Sequence, residues 1–267
     1  MTSAAERSVI PMYSYTKSLR DKELSSREGQ FVGGVAIGII LFGQTGYALP
    51  PGSVENGTTF KYPVYYRAIP AASVERVLSP HLDPEVLKQL IEVGREMERQ
   101  GCRAIIGACG YFANYLPEVT KHLSVPCFFS SIMQVPIILR SMKPGKKVGI
   151  LCADGRVLST APVLKNCGVE DRSSIVIVGA EVLPEMQKIL RGVGHYNPYL
   201  LEQGLVELAK GMVDKNQDIG ALLLECSLFP THAREIQEAV KLPVYDFSTL
   251  IDWVYSAVVR RSFPGYI

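Results

Sequence analysis

Two kinds of apolar segment alternate along this chain. Short uninterrupted runs occur in VAIGIILFG near residue 35, at 104–108, in KVGILCADG at 147–155 and at 221–225. They are short and bounded by turn residues, so they read as buried strands. Longer stretches between them have a period near 3.6. PEVLKQLIEVGREMERQ places Val86, Leu87, Leu90, Ile91, Val93 and Met97 on one face, and YLLEQGLVELAKGMV does the same with Leu200, Leu201, Leu205, Val206, Leu208 and Met212. Each predicts an amphipathic helix running into a strand. Further helices are expected near 114–122 and 231–240, each followed by a strand in VPCFF or LPVYD. A last helix is expected in TLIDWVYSAVV at 249–259.

The pattern occurs twice. Setting Cys109 on Cys226 fixes an offset of 117 residues, under which Pro126 meets Pro243 and Ser131 meets Ser248. Ala104 then meets Ala221, and Ile106 meets Leu223. A matched Cys, Pro and Ser at one offset indicate two similar halves. Strands alternating with amphipathic helices, twice over, predict an α/β fold of two pseudo-symmetric, doubly wound lobes with parallel sheets and an active site between them. The expected division is an N-terminal extension at 1–31, a first lobe at 32–141 and a second at 146–248. The connector is SMKPGKK, and the C-terminal helix (249–267) packs back on the first lobe.

Composition narrows the function. Apolar residues make up 47% and charged residues 20%, and Lys+Arg 28 nearly balances Asp+Glu 26. That balance gives no electrostatic reason to expect a nucleic-acid or membrane partner. The first thirty residues lack the apolar core of a signal peptide, and VAIGIILFG is too short to span a bilayer. Six cysteines without a CxxC pair, beside four histidines, form neither a disulfide framework nor a zinc site. Reduced thiols in a cytoplasmic enzyme are expected, with no metal. The glycines of GGVAIG lie before and within a strand, which departs from a dinucleotide fingerprint, and there is no P-loop, so no cofactor is expected.

In a doubly wound sheet, ligands bind beyond the carboxyl ends of the strands. Cys109 and Cys226 both sit there, in IIGACGYF and LLECSLFP. Facing lobes would bring the two thiols to one pocket, where one removes a proton from a carbon and the other donates from the opposite side. A thiol is poised for this by a helix N-terminus or a nearby cation. Cys102, Cys127, Cys152 and Cys167 read as small core residues instead.

A cysteine closing a strand in each half resembles the aspartate/glutamate/hydantoin racemase superfamily, from about Val32 to the C-terminus. The resemblance implies cofactor-independent chemistry next to a carboxylate. Two-cysteine racemases carry Asn-Thr after the first Cys and Thr after the second, whereas here Gly110 and Tyr111, and Ser227 and Leu228, follow. ACGYF, SSIMQVP and LLECSLFP are more similar to the algal-type dimethylsulfoniopropionate lyase branch. Arylmalonate decarboxylases resemble a one-cysteine site, unlike this pair.

The first functional reading is a racemase or isomerase of a small amino acid or related compound, working through a Cys109/Cys226 acid-base pair. The alternatives are a lyase of the dimethylsulfoniopropionate-cleaving type and a non-catalytic small-molecule binding protein. A small carboxylate substrate and assembly as a homo-oligomer are expected. Substrate contacts are expected from Gln44 and Tyr47 in the loop after the first strand, and from Gly110, Tyr111, Ser131, Asp154, Ser227 and Leu228. Glu225 should point to the opposite face of its strand from Cys226. His232 is expected at the surface or as a cap, with tuning of the Cys226 thiol as the alternative, and His195 in a loop over the pocket.

Overall fold

Two four-stranded parallel sheets with the same strand order carry the chain. The structure, a computed structural model, describes residues 28–43 and 45–267. In the first half, β1 (Ile37–Phe42), β2 (Val64–Ile69), β3 (Ala104–Gly107) and β4 (Cys127–Phe128) are accompanied by α1 (Val74–Val77), α2 (Pro84–Gln100), α3 (Leu116–Val119) and α4 (Val135–Ser141). The second half holds β5 (Lys147–Cys152), β6 (Ile175–Gly179), β7 (Ile219–Leu224) and β8 (Val244–Tyr245). Its helices are α5 (Gly155–Thr160), α6 (Val163–Asn166), α7 (Pro184–Leu190), α8 (Pro198–Lys215), α9 (Ala233–Val240) and α10 (Phe247–Val258). The sheet orders are β2-β1-β3-β4 and β6-β5-β7-β8.

Local chemistry sets the long helices. The Asp83 carboxylate accepts from the N–H groups of Glu85 and Val86, Pro84 opens α2, and Gly101 closes it in the left-handed region at φ 98°. Asn197 caps α8 in the same way. The buried stripes are Val86, Leu90 and Met97 on α2 and Leu201, Leu205 and Met212 on α8. Leu200 leaves the expected face and is exposed, because the stripe continues through Ala209 instead. The outer strands β2 and β6 lie outside the stretches that the apolar pattern picked out. They begin at 64 and 175, an offset of 111, as β1 and β5 begin at 37 and 147, an offset of 110, so the cysteine-based offset of 117 does not reach them.

Each half lends its last helix to the other. Val135 and Ile138 of α4 pack with Val148 and Ile150 of β5. Phe247, Leu250, Ile251, Val254 and Val258 of α10 pack with Ile37, Ile39, Ala104 and Ile106 of the first sheet. The exchanged helices meet at their N-termini, where Gln134 Nε2 donates to the Asp246 carbonyl and Thr249 Oγ1 donates to Gln134 Oε1, both at 2.9 Å. This exchange holds the strand ends of the two sheets against one another.

Candidate active site

Cys109 and Cys226 each lie two residues past a strand, β3 and β7 respectively. Both line one cleft between the halves, together with Phe42, Tyr47, Tyr111 and Glu225. The space between atoms in the cleft and its mouth, open solvent included, is about 410 Å³. Gly110 and Ser227 also line it, and Met186, Ile189 and Leu190 close one side. Cys102, Cys127, Cys152 and Cys167 are buried in the core, as their apolar surroundings predict.

The expected helix after each cysteine begins as a tight 3-10 turn, at Gly110–Asn114 and Phe229–His232. Backbone N–H groups favour thiolate at the sulfurs, Tyr111 at Cys109 and Leu228 and Phe229 at Cys226, while the Phe229 N–H also donates to the Cys226 carbonyl at 3.0 Å. Burial outweighs that preference. Burial, followed by the neighbouring charge of Glu225, pushes both thiols well above their ordinary range. The turn N–H groups act in the expected direction but do not bring either thiol below its ordinary range. Among the described residues no Lys, Arg or His lines the cleft.

Glu225 overturns its expected orientation. Strand alternation ends at Leu224, and beyond it the Glu225 side chain turns into the cleft. Its carboxylate accepts from the N–H of Ala153 at 3.1 Å and from the N–H of Gly110, so it joins the two halves. It rests against the Gly110 Cα so closely that any side chain there would collide with its Oε1. Burial raises its pKa to about 7 against those two bonds.

The remaining candidates divide. Tyr47 stands in the cleft wall, and burial and then Glu55 raise its hydroxyl pKa. Tyr111 presents its ring, while its hydroxyl is committed to the Asp154 carbonyl at 2.6 Å. Gln44 lies outside the described residues. Three expected contacts are not brought to the cleft. Ser131 Oγ donates to the Leu224 carbonyl at 2.9 Å and is spent tying the halves together. Asp154 caps α5 and pairs with Arg156 at 2.9 Å, so its carboxylate faces an outer groove. Leu228 buries its side chain in the core and offers only its N–H. His232 is also buried, with Nδ1 at 3.0 Å from Glu202 Oε2, contrary to a surface role; it stands at the N-cap position of α9 without a side-chain capping bond. His195 is exposed and does not line the cleft, although Tyr196 beside it reaches the Ala48 carbonyl at 3.4 Å.

One residue at the site had no signal in the sequence. Glu55, in the loop between β1 and β2, accepts from Ser227 Oγ at 2.5 Å. Burial raises its pKa to about 7, against that bond and the Glu55 backbone N–H.

A profile described as Asp/Glu/hydantoin racemase matches residues 85–251. The chain belongs to this family. It is 30% identical over 203 residues to a dimethylsulfoniopropionate lyase of Durusdinium sp. clade D, covering 73% of this chain and 66% of that protein. It is 31% identical over 216 residues to dimethylsulfoniopropionate lyase 6 of Emiliania huxleyi, covering 76% and 55%. The chain thus spans between about half and two thirds of the length of these relatives. Among solved structures, the fold is similar to allantoin racemase from Pseudomonas fluorescens, with a TM-score of 0.56 and 16% identity over 84% of this chain and 91% of that one. A point mutant of arylmalonate decarboxylase gives the same TM-score and identity over 86% and 97%.

Among the described residues no helix is long and apolar enough to cross a membrane, and no cluster of three or more His, Cys, Asp or Glu side chains is placed to hold a metal ion.

Proposed function

We propose that this family member is a lyase acting on small carboxylates with a positively charged leaving group at the β-carbon, the class to which dimethylsulfoniopropionate belongs. The observation that carries this reading is the charge of the cleft. Two thiols, the Glu225 carboxyl and the rings of Phe42, Tyr47 and Tyr111 line it, with no cationic side chain among its described residues. An acidic amino acid brings a second carboxylate, which here would meet Glu225 with no opposing cation. An onium group instead is attracted by a carboxylate and by aromatic faces. The lyase relatives point to the same class.

The chemistry follows from the sulfurs' surroundings. Cys226 has two backbone donors where Cys109 has one, so Cys226 is the better-supported thiolate and serves as base. Its thiol loses a proton to solvent as the positive charge of the substrate offsets the neighbouring carboxylates. The thiolate then removes the proton next to the substrate carboxylate. That C–H electron pair becomes the C=C bond, the β-carbon–sulfur bond breaks, and its pair leaves on a neutral sulfide. An unsaturated carboxylate remains, and the thiol returns its proton to water. Cys109 faces the substrate from the other half, as orienting group or proton donor.

Racemisation is the second reading, favoured by the supply of one thiol from each half. A panel of a β-sulfonium carboxylate, its neutral thioether analogue and aspartate, incubated with the protein and followed by NMR, separates the two. Elimination from the sulfonium compound alone is expected. Inversion of aspartate without elimination from the sulfonium compound would contradict the lyase reading.

A further inference from the structure

The loop between β1 and β2 is tied directly to the Cys226 turn of the other half. Val54 N–H donates to the Ser227 carbonyl at 3.0 Å, while the Ser227 hydroxyl donates to the carboxylate of the next loop residue, Glu55, at 2.5 Å. Thr231 Oγ1 adds a bond to the Pro51 carbonyl at 3.3 Å. Gly52, at φ 98°, lies so close that an added Cβ would sit 2.8 Å from Thr231 Cα. The loop is also braced from within. Thr59 Oγ1 donates to the Ser53 carbonyl at 2.6 Å, Tyr66 OH donates to the Val54 carbonyl at 3.0 Å, and Val54 is fully buried.

Ser227 is therefore gripped at both its carbonyl and its hydroxyl by consecutive residues of the first half. It directly follows Cys226 and precedes the two N–H donors of that sulfur. Glu55 Oε2 is buried without a hydrogen-bond partner. A buried carboxyl with one unpaired oxygen costs free energy that a single bond to Ser227 does not account for.

We infer that Glu55 is a positioning residue for Cys226, acting through Ser227: its carboxylate fixes the turn that presents the sulfur to the cleft. The inference rests on the reading of Cys226 as the base. The titratable groups that feel Glu55 are Tyr47, Tyr66, Cys109 and Cys226, with Glu225 acting on the same two sulfurs. None of these groups bears a positive charge, so removing the Glu55 charge eases thiolate formation at Cys226.

The test reads the sulfur with and without turnover. Iodoacetamide labelling of the Cys226 peptide, followed by mass spectrometry across pH, is compared in the wild-type protein and Glu55→Gln. The glutamine carbonyl keeps the Ser227 bond and removes the charge. Half-maximal labelling should move down by about one pH unit, or about tenfold faster labelling below that limb. Glu55→Ala and Ser227→Ala should each lower kcat about tenfold by releasing the turn, and the double variant should be no worse than either. Superimposed labelling profiles for folded wild-type protein and Glu55→Gln would overturn the inference, as would kcat losses that multiply in the double variant. If Glu55→Ala does not fold, the isosteric Glu55→Gln carries the test. A labelling shift in a protein that eliminates nothing from the sulfonium substrate would sink the lyase reading while supporting the positioning role.

Discussion

Glu225 and Gly110 form a pair in which each explains the other. The carboxylate reaches two N–H groups in different halves only because residue 110 has no side chain. Gly110→Ala should expel Glu225 from its seat, lowering stability by about 2 kcal/mol or more in urea unfolding and with it any turnover. Glu225 also gives stability a pH dependence of definite sign. Its pKa rises on folding from 4.5 to about 7, so its contribution is complete below about pH 4.5 and is lost as pH rises through 7. The full swing is about 3 kcal/mol. Unfolding free energies at pH 5 and pH 8 should differ less in Glu225→Gln than in the wild-type protein, and an equal difference in both would refute this assignment. At this scale the sequence disclosed the two cysteines, because the repeat sets them in matching strand ends. It hid Glu225, because alternation was extended one residue past a strand that stops at Leu224. It gave no hint of Glu55, whose bond to Ser227 spans 172 residues.

The elements were more legible where local and tertiary preferences coincide. The α2 periodicity, its Asp83 cap and its Gly101 stop all point to the helix observed over Pro84–Gln100. The segments after the cysteines were harder, since their N–H groups turn to sulfur and the chain tightens into 3-10 turns. Exchange of α4 and α10 is a tertiary matter. Apolar periodicity marks α10 as a buried helix, but packing decides which sheet it covers. Ile251, fully buried in the cluster with Ile37 and Ala104, supplies a check. Ile251→Ala should destabilise the protein by about 2–5 kcal/mol in denaturant unfolding. Ser256→Ala, on the exposed side of the same helix, should stay within about 0.5 kcal/mol. Equal effects would mean that α10 does not anchor the first sheet.

Over the whole molecule, two similar halves become one dissimilar site. The sheets share a strand order, yet Cys109 has one backbone donor and Cys226 two, and Glu225 and Ser227 flank the second thiol alone in sequence. Such asymmetry suits an elimination with one principal base better than a racemase that must use either thiol on either enantiomer. Serine keeps the approximate size of cysteine and is a far weaker base at neutral pH, so each thiol can be removed without emptying its place. The most direct measurement is proton NMR of dimethylsulfoniopropionate incubated in D₂O with the wild-type protein, Cys109→Ser and Cys226→Ser. Acrylate and dimethyl sulfide should appear with the wild-type protein, more slowly with Cys109→Ser, and not at all with folded Cys226→Ser. Wild-type release rates from both serine variants would contradict the thiol chemistry, and no release by the wild-type protein would contradict the lyase assignment itself.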